Sequence, residues 1–135
     1  MIIKLIILVL ISTVLAGCGL TASQKSGVSQ TSEYVKGAVV KGFPNLPLFP
    51  GAKVVETYGQ DRQYGGTFIT GDNLAKVVDF YSKSLGVAGW QSTLAQKSAS
   101  NYVFTISNSQ QVGEVIVNTA ADGKKTAITM SVVSR

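Results

Sequence analysis

A chain of 135 residues with a net charge of +5 and no histidine has room for one small domain once any leader is set aside. Its basic residues are scattered singly apart from Lys124-Lys125, so the clustered Lys/Arg face with interleaved aromatics that a nucleic-acid partner requires is missing. Without histidine there is no imidazole base, no Ser-His-Asp triad and no His-ligated metal, and the single cysteine, Cys18, rules out an internal disulfide.

Met1 to Lys4 is a short positive start, and Leu5 to Val14 is an apolar core broken only by Ser12 and Thr13. That run has the length of a secretory h-region and falls short of the roughly 20 residues that cross a membrane as a helix. Leu15-Ala16-Gly17 then places small residues before Cys18. The tetrad Leu15-Ala16-Gly17-Cys18 resembles the lipobox of bacterial lipoproteins. The resemblance implies cleavage between Gly17 and Cys18, a diacylglyceryl group on the Cys18 thiol, and acylation of the new amino group. Such chains anchor firmly because each buried CH₂ contributes about 0.8 kcal/mol and a second chain adds to a first that is marginal alone. These covalent acyl chains are the only non-protein group expected; no metal and no dissociable cofactor is. The implied address is the bacterial cell envelope: the periplasmic face of the outer membrane in a two-membrane cell, the outer face of the plasma membrane in a one-membrane cell. An ordinary signal peptide followed by a chance cysteine, or a short membrane span, is the alternative.

From Gly19 to about Lys41 the chain is rich in Ser, Thr, Gly and Gln without a sustained period, which is linker composition. Tyr34, Val35, Val39 and Val40 suffice for a short strand or helix at most. The expected organisation is a signal peptide over 1–17, the lipidated cysteine and a flexible tether over 18–42, and a small domain over 43–135. All three prolines fall in "FPNLPLFPGA", at Pro44, Pro47 and Pro50. Their spacing by three makes two PxxP patterns. It predicts either a docking peptide or a stiff segment that lays Leu46, Leu48 and Phe49 on the domain before Pro50-Gly51 turns.

Ala52–Gln60 reads as a strand by its β-branched content, "DRQYGG" as a turn region, and Gly66–Thr70 as a second strand. Leu74, Val77, Val78, Tyr81 and Leu85 then recur on one helical stripe, with Lys76, Asp79 and Lys83 opposite. Thr70 or Asp72 is the expected cap, and Gly86 or Gly89 the expected stop. Four further strands follow: Trp90–Gln96, Asn101–Asn108, Val112–Ala120 and Thr126–Ser134. Asn108-Ser109-Gln110 and Asp122-Gly123 supply turns. The predicted fold is α+β, in the order β-β-α-β-β-β-β: an antiparallel sheet of five to six strands with one amphipathic helix packed across it.

The stretch from Leu46 to Trp90 resembles a module of small bacterial envelope proteins. The shared features are a Pro-Gly-Ala lead-in, a strand ending in Thr, and a helix that carries Phe80-Tyr81 and closes on Gly89-Trp90. The resemblance implies an α+β fold outside the cytoplasm and no activity. More loosely, the helix-across-sheet plan is similar to that of outer-membrane assembly lipoproteins, an analogy of architecture alone.

Chemistry is sparse. The acidic residues form no calcium loop, and Gly65-Gly66 lacks the spacing of a nucleotide loop. Glu56 and Glu114 are one carboxylate pair that a sheet can bring together for glycosidase-type work. Phe80, Tyr81, Trp90 and Phe104 are the candidate contact or pocket residues. The expected function is a non-enzymatic envelope module, anchored to the membrane by lipid and docking to another envelope protein. The alternative is a lipoprotein holding a small apolar molecule between helix and sheet. Oligomeric state carries no signal in the sequence.

Overall fold

The computed structural model describes residues 33–135. Cys18, the lipobox and most of the expected tether lie outside the described residues. The chain order is β1 (Glu33–Lys36), β2 (Lys53–Gln60), β3 (Gln63–Thr70), α1 (Leu74–Val87), β4 (Gln91–Ser98), β5 (Asn101–Ser107), β6 (Gln111–Thr119) and β7 (Thr126–Ser134). The strands form one antiparallel sheet in the order β1-β2-β3-β7-β6-β5-β4.

This corrects the expected fold class. The protein is mostly β, with seven strands rather than five or six and a single helix. The extra strand, β1, lies in the stretch whose composition reads as tether. Its pairing is long-range: Tyr34 lies opposite Tyr58 and Lys36 opposite Glu56. A four-residue strand takes its stability from the neighbour it pairs with, so its own composition carries little of the signal. Val40 follows it into the core at 3% exposure. Buried Thr57 ties the segment down: its hydroxyl accepts the Val40 N–H at 2.8 Å and donates to the Ala38 carbonyl at 2.9 Å.

The second difference is local. Gln63–Gly66 belongs to β3, and the turn is only Asp61-Arg62, both with positive φ (50° and 64°). Two such residues make a type I′ turn, whose twist suits a two-residue hairpin. The two glycines stay in the strand because side chains crowd over them. The Tyr58 ring covers the place a Gly65 side chain would take, and Thr57 Cγ2 would lie 2.9 Å from a Cβ on Gly66.

The helix forms where its stripe predicts, but its cap is Asn73, whose side-chain oxygen accepts the Lys76 N–H at 2.9 Å. Neither Thr70 nor Asp72 caps it. Thr70 Oγ1 instead accepts the Asp72 N–H, and the Asp72 carbonyl accepts the Thr126 hydroxyl, which binds the helix lead-in to β7. At the other end Gly89 takes φ +89°. Its N–H donates to the Gly86 carbonyl at 3.1 Å while the Trp90 N–H reaches back to Leu85 at 3.0 Å. That is a Schellman closure, and it delivers Trp90 and Leu85 together into the core.

Alternation puts one face of the sheet under the helix. Phe68, Phe104, Val115, Val117, Ile128 and Met130 meet Val77, Tyr81 and Leu85 there, each at most 2% exposed. Each such side chain contributes about 1.5–3 kcal/mol of burial. The other face carries Thr105, Glu114, Ser131 and Val133 toward solvent.

Candidate functional site: an apolar groove beside the helix

The proline segment builds one wall of the site. Pro50 and Gly51 occupy the corners of a turn closed by the Ala52 N–H donating to the Phe49 carbonyl at 3.0 Å; Gly51 supplies φ +79°. Proline first and positive φ second is a type II turn. The turn drives Phe49 inward, and Leu46 is buried beside it, whereas Leu48, expected on the domain, is exposed. Trp90 holds the segment from below, its indole Nε1 donating to the Asn45 carbonyl at 2.9 Å.

The helix builds the other wall. Phe80, off the main stripe, is half-buried and packs edge-to-face on Phe49, with centroids 5.2 Å apart, and on Tyr81, 5.0 Å apart. Between the walls runs an open groove of about 760 Å³, lined by Pro47, Phe49, Pro50, Phe80, Val87 and Ala88. Val87 is 91% exposed at its rim. A volume of this order is in the range of ligand sites.

The rim charges are self-paired. Lys76 Nζ lies 2.6 Å from Asp72, and Lys83 Nζ lies 2.7 Å from Asp79, each one helical turn apart. Lys76 also sits 6.0 Å from the centre of the Phe49 ring. With each ammonium carrying its own carboxylate, the rim is locally neutral. The groove therefore offers apolar contact rather than charge. Two polar atoms nearby make no hydrogen bond: Ser84 Oγ, on the groove wall, and Tyr81 OH, beneath it. Burial holds the Tyr81 phenol well above its usual range, partly offset by the Phe49 backbone amide facing its oxygen.

The four sequence-predicted contact residues thus part company. Tyr81, Trp90 and Phe104 are core, at 0%, 4% and 1% exposure, and fill the space between helix and sheet. Only Phe80 reaches a groove. Its neighbours Val87, Pro47 and Phe49 are not among the sequence-predicted contacts; the sequence signals for them are two separate ones, Phe80 lying off the stripe and, far from it along the chain, apolar residues between prolines.

Glu56 and Glu114 do not meet. They stand on β2 and β6 with β3 and β7 between them, three strand spacings or about 14 Å in the sheet plane. Glycosidase carboxylates work at about 5–9.5 Å. Glu56 is instead hydrogen-bonded by the Tyr34 hydroxyl, which raises the pKa of that phenol. Among the described residues no three metal-ligating side chains cluster, and no helix is long and apolar enough to cross a membrane.

Comparison with protein-family models, with curated proteins and with solved structures finds no match for this chain.

Proposed function

We propose that this protein is a non-enzymatic interaction module of the bacterial cell envelope, lipid-anchored through Cys18, which holds an uncharged apolar segment of a partner protein. The observation that carries the reading is the groove between α1 and the proline segment: apolar, open to solvent and neutral at its rim. Aromatic and proline-lined grooves of this kind bind through a few buried anchors, while a neutral rim adds little charge selection. Phe49 and Phe80 are the anchors here, and Val87 is the exposed lip.

The test uses a photoreactive side chain at Val87 in the full chain, in cells. Capture of one envelope protein, absent with the same probe at Ser109 and lost on Phe80→Asp, is the expected result. The same adducts from both positions would overturn the reading. A small apolar molecule that stays with the full chain in native mass spectrometry, and leaves on Phe80→Asp, would replace the protein partner by a ligand. The anchor is tested separately by palmitate labelling, which Cys18→Ser should abolish.

A further inference from the structure

β4 forms one edge of the sheet, and among the described residues no strand pairs with its outer side. It is eight residues long, and all but Ala95 are exposed. Such edges invite pairing unless charge, proline, shortness or a cover blunts them. The opposite edge is blunted: β1 has four residues, with Glu33 and Lys36 at its ends. β4 has no proline and one charge, Lys97, and its one register irregularity falls between Gln96 and Ser98. Gln91–Gln96 is therefore a regular, neutral, open edge. Near its middle stands Leu94, 44% exposed, directly opposite the buried Phe104 of β5 and hence on the helix side of the sheet.

We propose that β4 pairs antiparallel with β4 of a second copy of this chain, about a two-fold axis at Leu94. The chemistry of the strand selects its own copy. In this register Leu94 meets Leu94, extending the apolar layer beyond Phe104 across the junction. Thr93 meets Ala95, Ser92 meets Gln96, and Gln91 meets Lys97. Each lysine faces an amide, whereas parallel in-register pairing would stack the two ammonium groups. With no acidic side chain and a single basic one, the edge has nothing to attract a strongly charged partner strand. The outward backbone groups of both copies gain partners, and each isologous contact is made twice. Seven paired residues a side are fewer than the 20–30 of a standard interface, so the pairing depends on protein concentration. Confinement to a membrane surface raises the effective concentration. That strengthening rests on the proposed anchoring; the pairing itself uses neither the lipid nor the groove.

The experiment is disulfide trapping of Leu94→Cys in the full chain, made in cells with its leader. Opposed residues in an antiparallel pair have Cβ atoms about 4.5–5.5 Å apart, close enough for a disulfide after a small adjustment. Wild type and Ser82→Cys are run beside it on non-reducing gels. We expect a product of twice the monomer mass, formed several-fold more from Leu94→Cys than from Ser82→Cys. Native mass spectrometry in detergent, run over a series of rising protein concentrations, should show wild-type dimers that grow with concentration and that Leu94→Lys, which sets two cations face to face, converts to monomers. Equal trapping from Leu94 and Ser82, or an adduct with a different protein, overturns the pairing. A wild-type disulfide dimer through Cys18 instead overturns the anchor; the detergent comparison then decides β4, with a monomeric wild type counting against it.

Discussion

Tyr81 carries a hydroxyl to the centre of the molecule without giving its proton an acceptor. The ring earns its place by packing on Phe80 and Phe104, 5.0 and 6.2 Å between centroids. A buried donor left unmade costs about 1–3 kcal/mol, so removing it is cheaper than keeping it. Tyr81→Phe should accordingly lie within about 1 kcal/mol of wild type in urea unfolding, the relief of the unmade donor set against the Phe49 amide that loses the oxygen it faces; a clear loss of stability would reveal an acceptor for the proton. The same phenol sets a pH response. Its pKa is raised in the folded state by burial, so the fold favours the neutral form. Its contribution is fully present below the ordinary tyrosine value near pH 10 and is lost as pH rises beyond it. The urea midpoint should fall between pH 8 and pH 11, and fall less in Tyr81→Phe. Tyr34, raised by its bond to Glu56 at the surface, adds a smaller response of the same sign.

At the scale of elements, two glycines in strands separate close approach from mere crowding. A methyl on Gly113 would run into the Ser131 carbonyl oxygen of β7 and lie 2.9 Å from Val132 Cα, both backbone atoms that cannot swing aside. A methyl on Gly65 would first meet the ring of Tyr58, a side chain that is 42% exposed and free to rotate outward. Gly113→Ala should therefore cost about 3 kcal/mol or more, and Gly65→Ala under about 1 kcal/mol, by denaturant midpoint. The periodic elements were legible beforehand because they answer to local rules. The helical stripe from Leu74 to Leu85 forms as a 3.6 period dictates, and Thr126–Ser134 is the strand that strict alternation predicts. The misread pieces answer to distant partners. Asp61-Arg62 lacks the usual Asn-Gly pattern, and its left-handed conformation follows from the hairpin it closes. Asn73 outcompetes Asp72 as the cap because the Asp72 carbonyl and amide are already engaged by Thr126 and Thr70.

Across the whole molecule, the boundary of the folded unit is what composition hid. Ser, Thr and Gly run through the stretch before Phe43, yet Glu33–Lys36 completes the sheet and Val40 plugs the core beside Thr57. The groove was hidden for a related reason: its walls, Phe49 and Phe80, lie 31 positions apart and meet only in the fold, where the type II turn at Pro50-Gly51 turns Phe49 inward and the Trp90 indole holds the proline segment at Asn45. What the sequence could show was that apolar residues sit between the prolines; what it could not show was which of them, Leu46 and Phe49 rather than Leu48, face inward. The boundary has a measurable consequence. A chain starting at Phe43 loses the burial of Val40 and leaves the Thr57 hydroxyl without either of its partners in a buried position. Burial of one valine contributes about 1.5 kcal/mol or more, and an orphaned buried hydroxyl costs about 1–3 kcal/mol. Relative to a chain starting at Glu33, the shorter one should be less stable by about 2.5–4.5 kcal/mol in urea unfolding. Thr57→Val in the longer chain should recover part of that loss, since it removes the hydroxyl but keeps Val40 packed. Equal midpoints for the two chains would mean that β1 and its strap lie outside the cooperative unit, and the domain would then begin where the prolines do.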